Sequence, residues 1–127
     1  MTIVLATLIA LVLVIPLDLA IEAFARQAFA VSPDFEPFQG TVALYTAGGV
    51  ILAGVVFAVL RPFARDTDRM YVRLAIVALV LSWIPDVALL VIHDPGATVP
   101  AVASLMVMHA VTAAIVVTLL VRIARRS

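Results

Sequence analysis

The 127-residue chain contains no cysteine. Disulfides, thiolate metal sites, redox pairs and cysteine nucleophiles are therefore excluded. Charge is also scarce. Charged residues make up 13% of the chain and hydrophobic residues 65%, against roughly 25% and 45–50% in an ordinary soluble domain. A water-soluble globule of this length has too much surface to cover with so few charges. Disorder fails for the opposite reason, because disordered chains are poor in apolar residues. The composition is that of an integral membrane protein. Lysine is absent, so all eight basic residues are arginine, and they balance eight acids to a formal net charge of zero. No basic stripe exists outside two short membrane-flanking clusters, which excludes nucleic acid as a partner. Serines are few, and no nucleophile–base spacing is recognisable. The chain is expected not to be an enzyme.

Four apolar segments are long enough to cross a bilayer, for which about 20 residues are needed. They run over about residues 2–25, 38–60, 71–92 and 100–121. Their apolar runs are continuous rather than alternating, which excludes a β-barrel. Ser32-Pro33-Asp34 and Pro37 break the first pair, and Arg61-Pro62 closes the second segment. Asp66-Thr67-Asp68 is suited to capping the third helix and Thr98 with Pro100 to opening the fourth. The expectation is an all-α bundle of four transmembrane helices forming one domain over residues 1–127. Arg61, Arg65, Arg69 and Arg73 occupy the middle connection, and Arg122, Arg125 and Arg126 the C-terminus. Only Arg26 lies at the other end. The positive-inside rule then places both termini and the middle connection in the cytoplasm of a multi-pass protein of the inner (plasma) membrane. Ala28-Phe29-Ala30 looks like a signal-peptidase site, but no Lys or Arg precedes the first apolar run and that run is too long for a signal core.

Ala10 to Pro16 resembles Ala78 to Pro85, and each is followed closely by an aspartate. Two tandem hairpins related by an axis along the membrane normal would give this pattern. Chance matching between Ala/Leu/Val-rich helices would also give it.

Ionisable groups inside a bilayer cost about 2.5–3.5 kcal/mol each on insertion scales, so they mark the positions worth reading. By helical rise, Asp18 and Asp86 fall at similar depth in the outer halves of the first and third helices. His109 falls near the middle of the fourth, and Tyr45 and Thr46 lie in the outer half of the second. Asp18, Asp86, His109, Tyr45 and Ser82 are the candidate intramembrane polar site. Asp18, Glu22 and Arg26 recur every four residues, and Ser82, Asp86 and His93 form a similar stripe. Glu22, Arg26 and His93 are the candidate outer mouth. Two readings stand side by side: a proton-responsive or ligand-binding site, and a hydrogen-bond network that glues the helices together. Asp86 can face His109 as carboxylate to imidazolium or as neutral acid to neutral ring. The His and carboxylate spacing matches no standard metal motif. No second histidine stands at the right depth for haem ligation with His109, Met106 or Met108. No metal or cofactor is expected.

Ala43, Ala47, Gly54 and Ala58 make a small-residue stripe on the second helix, with Gly49 and Ala53 on a neighbouring face. Such stripes let backbones approach closely, within the bundle or at a seam with a second copy or another membrane protein. Phe35, Phe38 and Tyr45 suit one aromatic belt, and Phe63 and Tyr71 the other. The arginines at 61, 65, 69, 73, 122, 125 and 126 are expected to fix topology and to touch anionic lipid headgroups.

An arginine-rich connection, then Leu79-Val80-Leu81-Ser82 with Pro85, then Met108-His109-Ala110-Val111-Thr112 through Val117, resembles a family of small four-helix membrane proteins of unknown function from high-GC bacteria. The resemblance covers most of the chain. It implies the four-helix fold and a polar residue in the outer half of the first helix, a place that Asp18 fills. It implies no reaction. The function expected is that of a non-enzymatic accessory or interaction subunit. One alternative is a small proton-coupled transporter using Asp18 or Glu22 with Trp83. The other is an envelope sensor of pH or a ligand that switches at His109, since imidazole changes charge between about pH 5 and 8.

Overall fold

A computed structural model describes residues 2–63 and 65–124, apart from the side chain of Ala124. Arg125 and Arg126 lie outside the described residues. Among the described residues, four helices run α1 (Thr2–Ala28), α2 (Val42–Leu60), α3 (Thr67–Val91) and α4 (Val99–Ala124), with a 3-10 turn at Glu36–Phe38 before α2. All four are long and apolar enough to cross a membrane, and no strand occurs among the described residues. The protein is a multi-pass, all-α membrane protein.

The helix ends follow local chemistry. Asp66 caps α3 by accepting from the Arg69 N–H at 3.2 Å, which starts α3 four residues earlier than the apolar run alone indicates. Thr98 accepts from the Ala101 N–H at 3.3 Å at the start of α4. The second span does not begin at Phe38. The chain makes the 3-10 turn there, passes through Gly40 at φ +81°, and enters α2 only at Val42. α3 ends in a Schellman turn. His93 is left-handed at φ +52° and its N–H donates to the Leu90 carbonyl, while the Asp94 N–H donates to that of Leu89. Pro16 and Pro85 lie inside α1 and α3 without ending them, as membrane helices tolerate.

α1 is the spine of the bundle. It packs along α4 and α2, whereas α3 is held mainly by α4, and α2 and α3 meet only slightly. A symmetric pair of hairpins would make the α2–α3 contact the equal of α1–α4, and it is not. α1 buries Ala6, Ala10, Val14 and Asp18 at intervals of four, a spacing that keeps one face inward. The alanines allow close helix approach.

Two apolar cores result. Toward the arginine-rich end, Ala6, Ala10 and Val14 cluster with Val50, Phe57, Tyr71, Val116 and Leu120. There the Tyr71 hydroxyl donates to the Ala53 carbonyl at 3.1 Å, and its ring stands edge-on to Phe57. Toward the far end, Ala25, Phe35, Phe38, Val42, Ala101, Val102 and Met108 form the second core. The two far-end connections also touch. A Cβ on Gly96, at φ +77°, would stand 2.6 Å from the Phe35 backbone nitrogen.

The small residues of α2 divide into two sets. A Cβ on Gly54 would lie 2.5 Å from the Thr7 hydroxyl of α1, whereas Gly48 and Gly49 face open space. Gly54→Val should therefore lower stability by about 1–3 kcal/mol through overpacking. Gly49→Val should leave it within about 0.5 kcal/mol of the parent, as unconstrained substitutions do. Unfolding titrations in mixed micelles read both.

Candidate functional site

Between the two cores stand the ionisable groups of the membrane interior. On α1, Asp18 lies one turn beyond Val14 of the first core. On α2, Thr46 lies midway between Val42 and Val50. On α4, His109 and Thr112 lie between Met108 and Val116. The register of three helices thus brings polar side chains to one depth.

Several hydroxyls answer a carbonyl of their own helix. Thr7 donates to Ile3, Ser82 to Leu79, Ser104 to Pro100 and Thr118 to Ala114, all at 2.6–2.8 Å. Thr46 and Thr112 behave differently. Both donate to the same oxygen of Asp18, Oδ2, at 2.9 and 2.8 Å. One carboxyl oxygen therefore joins α1, α2 and α4. Asp18 is 2% exposed, and its other oxygen, Oδ1, is buried with no hydrogen-bond partner.

The second carboxyl is on α3. Asp86 Oδ2 lies 2.8 Å from His109 Nδ1, with the aspartate side chain 7% exposed and the histidine 39%. One turn earlier on each helix, Trp83 Nε1 donates to the Met106 carbonyl at 3.2 Å, so α3 is fastened to α4 twice. His109 and Thr112 are three apart and share a face of α4. Two groups result: Asp18 with Thr46 and Thr112 joins α1, α2 and α4, and Asp86 with His109 joins α3 to α4.

Asp86 and His109 are thus drawn together, Asp18 is bonded instead to Thr46 and Thr112, and the other residues expected to join them stand elsewhere. Tyr45 is 73% exposed and points away from the bundle. Ser82 bonds within its own helix. Glu22 and Arg26 pair at 2.9 Å, and the same guanidinium donates to the Phe38 carbonyl and lies over the Phe38 ring. Arg26 thus stitches the end of α1 to the 3-10 turn. His93 sits exposed in the Schellman turn. Arg61, Arg65, Arg69, Arg73 and Arg122 are exposed at the other end. Among the described residues, no three His, Cys, Asp or Glu side chains group to hold a metal ion.

Comparison with known families matches residues 1–126 to a family of unknown function, DUF6069. The chain belongs to DUF6069. No curated protein and no solved structure matches this DUF6069 member.

The sequence marks Thr46 by its depth alone and does not mark Thr112 as a polar partner. Thr46 is one residue from Tyr45, about 100° around the helix, and burial alone separates them. Thr112 lies in an Ala/Val-rich run where a β-branched residue reads as filler. Thr46→Val and Thr112→Val should each cost about 0.6 kcal/mol, the mean for interhelical hydrogen bonds in membranes. The double variant should cost more than their sum, because Oδ2 then loses both donors. A double-mutant cycle by steric trapping in bicelles measures the excess.

Proposed function

We propose that this DUF6069 protein is a non-enzymatic subunit of the inner membrane, with both termini and the arginine-rich end facing the cytoplasm. Its polar layer holds four helices in one arrangement, and the remaining helix surface is offered to a membrane partner. The observation that carries this reading is where the polar side chains go. The Asp18 bonds, the Asp86–His109 contact and the Trp83 bond each run from one helix to another. Groups committed in this way serve assembly. α3 supports the same reading, since its buried residues are only Tyr71 and Asp86. Gly48 and Gly49 offer a small-residue face of α2 to a second copy or another membrane protein. The sorting of arginines along the chain supports the orientation.

A photo-crosslinking side chain at Ile76 or Ile84, both exposed on α3, tests the subunit reading in native membranes. One adduct of defined mass, from a partner or a second copy, is the expected result. Solute or proton flux through the purified chain in liposomes would refute it.

One observation favours a second reading, proton response. Asp18 Oδ1 is a buried carboxyl oxygen without a partner, and His109, which contacts Asp86, is partly exposed. A proton arriving at the ring would change the bond to Asp86. Trp83, the one tryptophan, is the reporter, because it bonds to α4 one turn from His109. On this reading its fluorescence in nanodiscs changes as the bulk pH is lowered. The change vanishes in both His109→Gln and Asp86→Asn. A flat trace in the parent counts against proton response and leaves the assembly role.

A further inference from the structure

The arginine-rich end holds a second feature, remote from the polar groups between the cores. Beyond the end of α2 and along the first two turns of α3 lies a groove of about 390 Å3, lined by Phe63, Arg65, Asp66, Arg69, Met70 and Arg73. Three guanidiniums face one carboxylate. Arg69 and Arg73 are four apart on α3 and share a face, and Arg65 continues the interval before the helix begins.

Asp66 does little to neutralise them. Its Oδ1 caps the Arg69 N–H, and its Oδ2 is 3.5 Å from Arg69 Nε, with both side chains largely exposed. An exposed ion pair of that length is weak. Among the described residues, neither Arg65 nor Arg73 has a carboxylate within ion-pairing distance. The lining of the groove therefore carries a surplus of cations.

Its apolar lining indicates which anion. Phe63 is 84% exposed and Met70 is also exposed. Both line the groove beside Arg73, which the apolar residues from Leu74 onward follow directly. An aqueous phosphate gains nothing from a phenyl ring and a thioether. A phosphate that carries a glycerol and acyl chains gains from both. Guanidinium forks grip phosphate oxygens in pairs, which a diffuse layer of positive charge does not.

We propose that this groove binds the phosphate of an anionic membrane lipid. Arg69 and Arg73 hold the phosphate oxygens, Arg65 adds charge from the loop, and Phe63 and Met70 lie against the glycerol and the first acyl carbons.

The test is native mass spectrometry of the full chain in detergent, with phosphatidylglycerol or phosphatidylcholine added at equal concentration. The expected result is one phosphatidylglycerol retained, with about tenfold preference over phosphatidylcholine, which corresponds to about 1.4 kcal/mol. Arg69→Lys with Arg73→Lys keeps every charge, and hence the topology signal, but removes the planar forks. It should bring the two lipids close to parity. Phe63→Ser should weaken phosphatidylglycerol retention while leaving the arginines intact. Equal retention of both lipids by the parent overturns the proposal, as does undiminished preference in the lysine variant, which would show diffuse attraction alone. Displacement of the lipid by inorganic phosphate at matched concentration, with no effect of Phe63→Ser, overturns it in favour of a free-phosphate site.

Discussion

A carboxyl group in hydrocarbon must find its hydrogen bonds inside the protein, because the bilayer interior supplies none. Asp18 sets the architecture through that constraint. It stands at the inward face of α1, between two apolar cores, and takes one donor from α2 and one from α4. Those two bonds fix the rotation of three helices about their axes and their relative depth. A shift of one residue in α2 would put Tyr45 or Ala47 where Thr46 is and leave the oxygen with a single donor. Apolar packing alone does not discriminate registers so sharply, since one Ala/Val-rich helix face resembles the next. This is the sense in which a costly polar group contributes specificity in a membrane.

The remaining helix, α3, joins the bundle by other means. α3 contributes few buried apolar side chains, so its attachment rests on discrete contacts. Asp86 to His109 and Trp83 to the Met106 carbonyl bind it to α4, and Tyr71 to the Ala53 carbonyl ties it to α2. The far-end connections add a lock, with Gly96 against the Phe35 backbone and Arg26 on the Phe38 carbonyl. The bundle is therefore unequal: a closely packed group of α1, α2 and α4, and a third helix pinned along its side.

Much of this was legible in the sequence. Length and apolarity mark four helices, and the capping chemistry at Asp66 and Thr98 places two of their starts. The start of α2 was not legible. Phe38 belongs to the apolar run by composition, yet backbone geometry at Gly40 and the bond from Arg26 keep it in a turn. The small-residue stripe that the core uses most lies on α1, at Ala6 and Ala10. Reading for glycine directs attention to α2 instead, where only Gly54 makes a tight contact. For the polar groups, helical rise gives depth, which is why Asp18, Asp86 and His109 stand out together. It does not give azimuth. Whether Tyr45 or Thr46 turns inward, and whether a threonine bonds to its own helix or to a neighbour, depends on which helices pack together. The similarity between Ala10–Pro16 and Ala78–Pro85 suggested an equivalence of halves that the packing of α1 on α4 does not follow.

That packing has a consequence for biogenesis. Helices enter the membrane in the order of synthesis, yet the principal neighbour of the first helix is the last. Until α4 is inserted, Asp18 has at most one of its two donors, and α3 has no Met106 carbonyl or His109 to meet. The hairpin of α1 and α2 must wait in the bilayer with a carboxyl group half satisfied while more than forty residues (Thr67 to Thr112) are made. A waiting segment of this kind is the sort that an insertase or a membrane chaperone retains. The final assembly step is then the arrival of one helix that completes the hydrogen bonding of two others at once.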